Sequence, residues 1–171
     1  MRRRDLLAAG LTLATAPGLV LAARRRVLRL HHTHTEESLA VTYRQGSRYH
    51  TWGLRRLDHF LRDFRTGEVK AMDPHLFDIL WEIQQEAGHH DGRFEVISGY
   101  RSPKTNAALR RRSKGVARHS QHLLGKAVDV RLRGTTTRHL RDCALKLAEG
   151  GVGYYPRSDF VHLDTGRVRH W

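Results

Sequence analysis

The apolar residues of this chain recur with two periods, and those periods divide it into strands and helices. Val27-Leu28-Arg29-Leu30 opens a strand that continues through His31-His32-Thr33-His34-Thr35, and Leu39 to Tyr43 reads as a second. The intervening Thr35-Glu36-Glu37-Ser38 predicts a hairpin. Leu54, Leu57, Phe60, Leu61 and Phe64 fall at helical spacing and predict an amphipathic helix from about Thr51 to Arg65. A second helix is signalled by Asp73 as N-cap and Pro74 in the first turn. Its stripe is Leu76, Ile79, Leu80 and Ile83, and Gly88 stops it. Both helices are packing elements, and Trp81 is read as core rather than as a platform for a sugar.

Phe94-Glu95-Val96-Ile97 is a short strand leading into the loop Ser98-Gly99-Tyr100-Arg101-Ser102-Pro103, and a loop leaving a strand end favours functional groups. Pro103 to Arg112 reads as a helix with a basic end, and Ser113 to Ser120 as a polar loop. In the strand Ala127 to Leu132, Val128, Val130 and Leu132 alternate with Asp129 and Arg131, so Asp129 points away from the buried face. Thr135-Thr136-Thr137 caps a helix running to about Glu149, ended by Gly150-Gly151. Gly151 to Tyr155 and Phe160 to Leu163 look like paired strands joined through Pro156-Arg157-Ser158. The mixture predicts an α+β fold: a single domain with a small antiparallel sheet and flanking helices.

Composition adds an address. Lys and Arg total 31 against 17 Asp and Glu, a formal charge of +14. Part of this excess sits in Met1-Arg2-Arg3-Arg4-Asp5, a basic start followed by the small, apolar run Leu6 to Ala23, the layout of an export signal. Arg3-Arg4-Asp5-Leu6-Leu7 is similar to a twin-arginine signal, which implies export of a folded protein to the periplasm. Residues 1–23 are therefore read as a cleaved signal peptide and 24–171 as the mature domain, with no stable membrane insertion after cleavage. The mature domain keeps a charge of about +12 and should adhere to polyanions. Arg110-Arg111-Arg112 and Lys114 point first to nucleic acid, but export and the lack of an aromatic-basic recognition motif favour the cell envelope. Cys143 is the only cysteine, so no internal disulfide forms; its spacing from Leu140, Ala144 and Leu147 makes it a small core residue.

The candidate chemistry centres on Ser120 to Asp129. His122 and Asp129 lie seven residues apart, and Gly125 lets the backbone turn so that His122 swings over the polar face carrying Asp129. A neutral imidazole and a carboxylate on one face suit a divalent metal such as zinc. Catalytic zinc usually takes three protein ligands, and the third candidate lies in Asp159-Phe160-Val161-His162-Leu163-Asp164. His32 and His34 also share a strand face, but no nearby carboxylate completes a site, so they are read as part of an exposed, partly polar strand.

Ser120-x-His122, six residues, Asp129 and the later His162 resemble the signature of the zinc-dependent D-alanyl-D-alanine peptidases of the Hedgehog/DD-peptidase fold. Within that group the similarity is to the MepK/YcbK-like murein endopeptidases. It runs from about Leu28 to Trp171 and includes Ser98-Gly99-Tyr100-Arg101-Ser102 and Gly151-Val152-Gly153-Tyr154-Tyr155. The resemblance implies Zn2+ held by His122, Asp129 and His162, with Arg101 lining the active site. It also implies Asp159 as catalytic base, because Asp159-x-x-His162 matches the family's acidic residue-x-x-His element, where many relatives have Glu. Residues three apart on a strand face opposite ways, so Asp159 is expected in the turn. Asp164 and His119 are the rival bases, and Asp164 alternatively orients His162. The substrate implied is the peptide cross-bridge of peptidoglycan (murein), cut at a bond to or from meso-diaminopimelate. Two other readings are a D-alanyl carboxypeptidase and a zinc-stabilised envelope-binding module without catalysis.

Overall fold

The computed structural model describes residues 24–113 and 115–171; the signal peptide expected at 1–23 lies outside the described residues. Strands β1 (Arg25–His32) and β2 (Ser38–Gln45) form the expected antiparallel hairpin, with Glu36 at φ 57° in its turn. The two-residue strand β3 (Arg48–Tyr49) extends the hairpin, and α1 (Thr51–Phe60), α2 (Pro74–Glu86), β4 (Arg93–Ser98) and α3 (Pro103–Arg112) follow. A 3-10 turn at Gln121–Leu124 precedes β5 (Ala127–Leu132). Then come α4 (Thr137–Leu147), β6 (Gly151–Tyr155), β7 (Phe160–Asp164) and the short β8 (Arg169–His170).

The sheet is larger than the sequence pattern indicates. Its eight strands run in the order β3-β2-β1-β4-β5-β7-β6-β8. Only β1/β4 and β6/β8 pair in parallel; the other neighbours are antiparallel. The fold is α+β. The strands β3 and β8 carry two residues each and leave no periodic signal to read.

Alternation along the strands builds the core. Leu28, Leu30, Val41, Tyr43, Phe94, Val96, Val128, Val130, Leu132, Val161 and Leu163 are buried with the stripes of α1, α2 and α4. Cys143 joins this core, as its spacing predicts, and Trp81 packs at its edge beneath the guanidiniums of Arg24 and Arg26. The opposite face is left for the chemistry.

Three local expectations are corrected. Helix α1 stops at Phe60 instead of running to Arg65. The carbonyl of Leu61 is taken by the N–H of Tyr100 at 2.8 Å, and Asp63 accepts the N–H groups of Arg65 and Ser102 at 3.0 and 2.8 Å. These contacts divert the chain into a turn, and Phe64 stacks on His34 rather than continuing the stripe. Helix α4 ends with Ala148 in the left-handed region at φ 54°, ahead of the glycine pair credited with stopping it. His32 is buried rather than exposed: it packs edge-on against Phe60 and Phe64, and its Nδ1 accepts the N–H of His34 at 3.2 Å. Burial pushes its pKa down to about 4, so His32 is neutral in the folded protein.

Candidate metal centre

Three side chains converge on the polar face of the sheet. Asp129 on β5 and His162 on β7 lie directly opposite each other in the antiparallel register. His122 reaches them from the 3-10 turn. Ser120 caps that turn by accepting the N–H of His122 at 3.4 Å, and Gly125 ends it at φ 69°. A Cβ on Gly125 would sit 2.6 Å from the carbonyl oxygen of Ala71, so the turn can close only at glycine. His122 Nε2 then lies 3.2 Å from both Asp129 Oδ1 and His162 Nδ1, and His162 Nδ1 lies 2.9 Å from Asp129 Oδ1. Among the described residues this buried trio is the cluster of ligand-type side chains able to hold a metal.

The outer contacts decide the chemistry of these atoms. His122 Nδ1 faces the carbonyl of Gly99 at 2.7 Å, which can only accept, so that nitrogen carries the proton and Nε2 turns a lone pair inward. His162 Nε2 likewise faces Asp164 Oδ2 at 3.0 Å and leaves Nδ1 for the cluster. Two inward lone pairs and a carboxylate oxygen are stable together only around a positive charge. Their separations approach the edge of about 3.3 Å that zinc–ligand bonds of about 2.0–2.1 Å make in a tetrahedron. The residues therefore fit a divalent metal, which His122, Asp129 and His162 would hold.

The charges agree. Burial opposes ionisation of Asp129, but His122 and His162 outweigh it and hold the carboxyl far below its ordinary range. Burial pushes the pKa of His122 down, keeping it a neutral ligand. Burial also opposes the charged form of His162, yet its hydrogen bonds with Asp129 and Asp164 raise its pKa. A proton on Nδ1 of His162 would compete with a metal there.

Arg101 lies beside the trio. Its guanidinium grips the outer oxygen of Asp129 and donates to Ser98 Oγ at 2.9 Å. It is committed first to orienting that carboxylate, and its remaining edge lines the cavity. Asp164 is buried and held by Arg169 at 2.6 Å and by the N–H of Gly166 at 2.8 Å. Burial works against its ionisation, but His162 and Arg169 hold its carboxyl far below the ordinary range. It orients His162.

The three sequence candidates for the base fall in different places. Asp159 sits in the turn before β7, at φ 51°, with its side chain 62% exposed. Its carboxylate pairs with Arg131 at 3.2 Å and accepts from Thr137 at 3.0 Å, and it is not among the residues around the metal cavity. His119 does line that cavity, which has a volume of about 410 Å³. Asp164 lies behind His162 rather than in front of it. His32 lies against Phe60 at the end of α1 and His34 against Phe64 in the turn beyond it, apart from the trio.

Sequence reasoning missed two groups. Trp171, Tyr155 and Phe160 form an aromatic wall beside His162: Trp171 lies 5.3 Å from the His162 ring and donates to Tyr155 Oη at 2.8 Å, and Tyr155 stacks on Phe160. The pairing of β6 with β8 brings Trp171 there, and only the fold reveals it. The second is Asp63, whose hold on Ser102 fixes the loop bearing Arg101.

The profile of the family described as Peptidoglycan L,D-endopeptidase MepK matches residues 20–171. The chain is 44% identical to the peptidoglycan L,D-endopeptidase MepK of Escherichia coli K12, over 99% of this chain and 96% of that protein. It is 42% identical to the probable peptidoglycan L,D-endopeptidase MepK of Haemophilus influenzae, over 90% of this chain and 82% of that protein. No solved structure is matched. With a family match across residues 20–171 and 44% identity over nearly its whole length, the chain belongs to the peptidoglycan L,D-endopeptidase MepK family.

Proposed function

We propose that this chain is a zinc metallopeptidase that cleaves the peptide cross-bridges of peptidoglycan in the periplasm, reached through the signal at residues 1–23. The observation that carries the reading is the convergence of His122 Nε2, Asp129 Oδ1 and His162 Nδ1, each oriented from behind by a second hydrogen bond. When bound there, zinc polarises a peptide carbonyl and lowers the pKa of a water to about 7. The relatives' activity as L,D-endopeptidases supports the substrate class.

The chain's own residues have distinct tasks. Arg101 and Asp164 hold the ligands in register, and His122 and His162 stay oriented by Gly99 and Asp164. The family pattern assigns proton transfer to Asp159, which must release Arg131 and Thr137 before it can reach the cavity. His119 already faces the cavity and is the base better supported by position. The positive charge of the domain favours encounter with a wall polymer rich in carboxylates.

The test is digestion of purified sacculi with the zinc-loaded protein, followed by mass analysis of the released muropeptides. Conversion of cross-linked dimers to monomers is expected. Shortened stems with intact dimers would mean a carboxypeptidase, and unaltered muropeptides a binding module.

A further inference from the structure

A second cleft, of about 500 Å³, opens between β2 and α1, apart from the metal cavity. Leu39 and Phe60 form its apolar floor, and Trp52, Arg55, Arg56 and His59 surround it. Trp52 stands 64% exposed, with the Arg56 guanidinium 4.8 Å from the centre of its ring. The one carboxylate at the rim, Glu37, is already paired with Arg62 at 2.6 Å. Among the described residues Arg55 and Arg56 have no carboxylate partner. An exposed indole above an apolar floor, flanked by two unpaired guanidiniums, suits a ligand with a ring face to stack and carboxylates to pair.

We propose that this cleft holds a second repeat of the peptidoglycan polymer, with a sugar ring against Trp52 and a stem carboxylate on Arg55 or Arg56. This inference rests on the function proposed above. The substrate is a polymer, so a repeat bound at the metal centre brings its neighbours close, and a second contact then forms at high effective concentration. The carboxylates of the stems complement the unpaired arginines. Cleft and cavity are also joined in the fold: Phe60, at the floor, precedes Leu61, whose carbonyl holds the N–H of Tyr100 next to the Gly99 carbonyl that orients His122.

The test compares the purified, zinc-loaded protein with Trp52→Ala and with the double variant Arg55→Ala, Arg56→Ala. Each is measured for co-sedimentation with sacculi, for cleavage of sacculi, and for cleavage of cross-linked stem peptides freed of their glycan. These side chains lie at the surface, so unchanged melting temperatures are expected. Affinity for sacculi should fall about tenfold or more, and cleavage of dilute sacculi with it, while cleavage of the glycan-free peptides stays at the wild-type rate. Unchanged affinity for sacculi overturns the proposal, and so does an equal loss on both substrates, which would mean damage to the metal centre. If the wild-type protein cleaves neither substrate, the proposed function fails, and co-sedimentation alone then decides whether the cleft binds the polymer.

Discussion

At the scale of single residues, the proposed metal centre separates the three candidate ligands from the groups behind them. Changing His122, Asp129 or His162 to Ala removes a proposed zinc ligand, and elemental analysis of the purified variants should find zinc lost from each. Asp164→Asn keeps the shape but disturbs both the hydrogen bond to His162 and the pair with Arg169. Its affinity for zinc should fall roughly 10- to 100-fold, read by competition with a chelator. The base is resolved on fully loaded protein: His119→Gln should slow cleavage about a hundred- to ten-thousand-fold with zinc content unchanged, and Asp159→Asn should stay near wild type. The reverse outcome returns the role to Asp159 and means that its turn rearranges. His32 tests burial instead of catalysis. Its folded pKa of about 4 lies below the ordinary 6.5, so the unfolded chain binds the proton more readily. The stability of the neutral, buried form is complete above 6.5 and is lost as pH falls from 6.5 toward 4. The loss amounts to at most about 3 kcal/mol. Urea unfolding at pH 7 and pH 5 should show this slope in the wild type and a shallower one in His32→Gln.

At the scale of elements, the joint between α1 and the loop after β4 matters most. Leu61 and Asp63 end the helix and, by the same hydrogen bonds, hold Tyr100 and Ser102. Gly99 lies so close to this turn that an added Cβ would sit 2.5 Å from the Leu61 carbonyl oxygen, leaving no room for a larger residue. Burial opposes ionisation of Asp63, but bonds from Thr105 and Ser102 bring its pKa down to about 2, which marks a carboxylate committed to acceptor duty. Asp63→Ala strips partners from two backbone N–H groups and should cost about 2–3 kcal/mol of stability. Thermal melts and zinc retention, measured together, check it: both should fall, because the loop carries Arg101 and the Gly99 carbonyl. A loss of stability with zinc affinity intact would show that the loop keeps its place without Asp63.

At the scale of the whole molecule, one sheet serves two purposes. Its apolar face is closed by helices, and its other face carries the trio where β5 and β7 meet. No helix among the described residues is long and apolar enough to cross a membrane. The expected export signal lies in residues 1–23, outside the described residues. Replacing Arg3 and Arg4 by Lys should hold the precursor in the cytoplasm if the twin-arginine route is used. Fractionation and the size of the processed chain read the result, and normal maturation would assign the segment to the ordinary secretory route.

The sequence alone determined most of the elements and the approach of His122 to Asp129, because both are written in local spacing. The alternation of Val128, Val130 and Leu132 placed Asp129 on the polar face, and Gly125 allowed His122 to fold back over it. The Asp73–Pro74 start of α2 was equally legible, since an N-cap acts within a few residues. Other features depended on partners distant in the chain. The early end of α1 comes from contacts with residues 100 and 102, and the burial of His32 from Phe60 and Phe64. Trp171 reaches the cavity only through the pairing of β6 with β8. The direction of Asp159 was decided in the same way: its place in the turn followed from strand alternation, but the pull of Arg131 and Thr137 on its carboxylate is a tertiary contact that no spacing encodes.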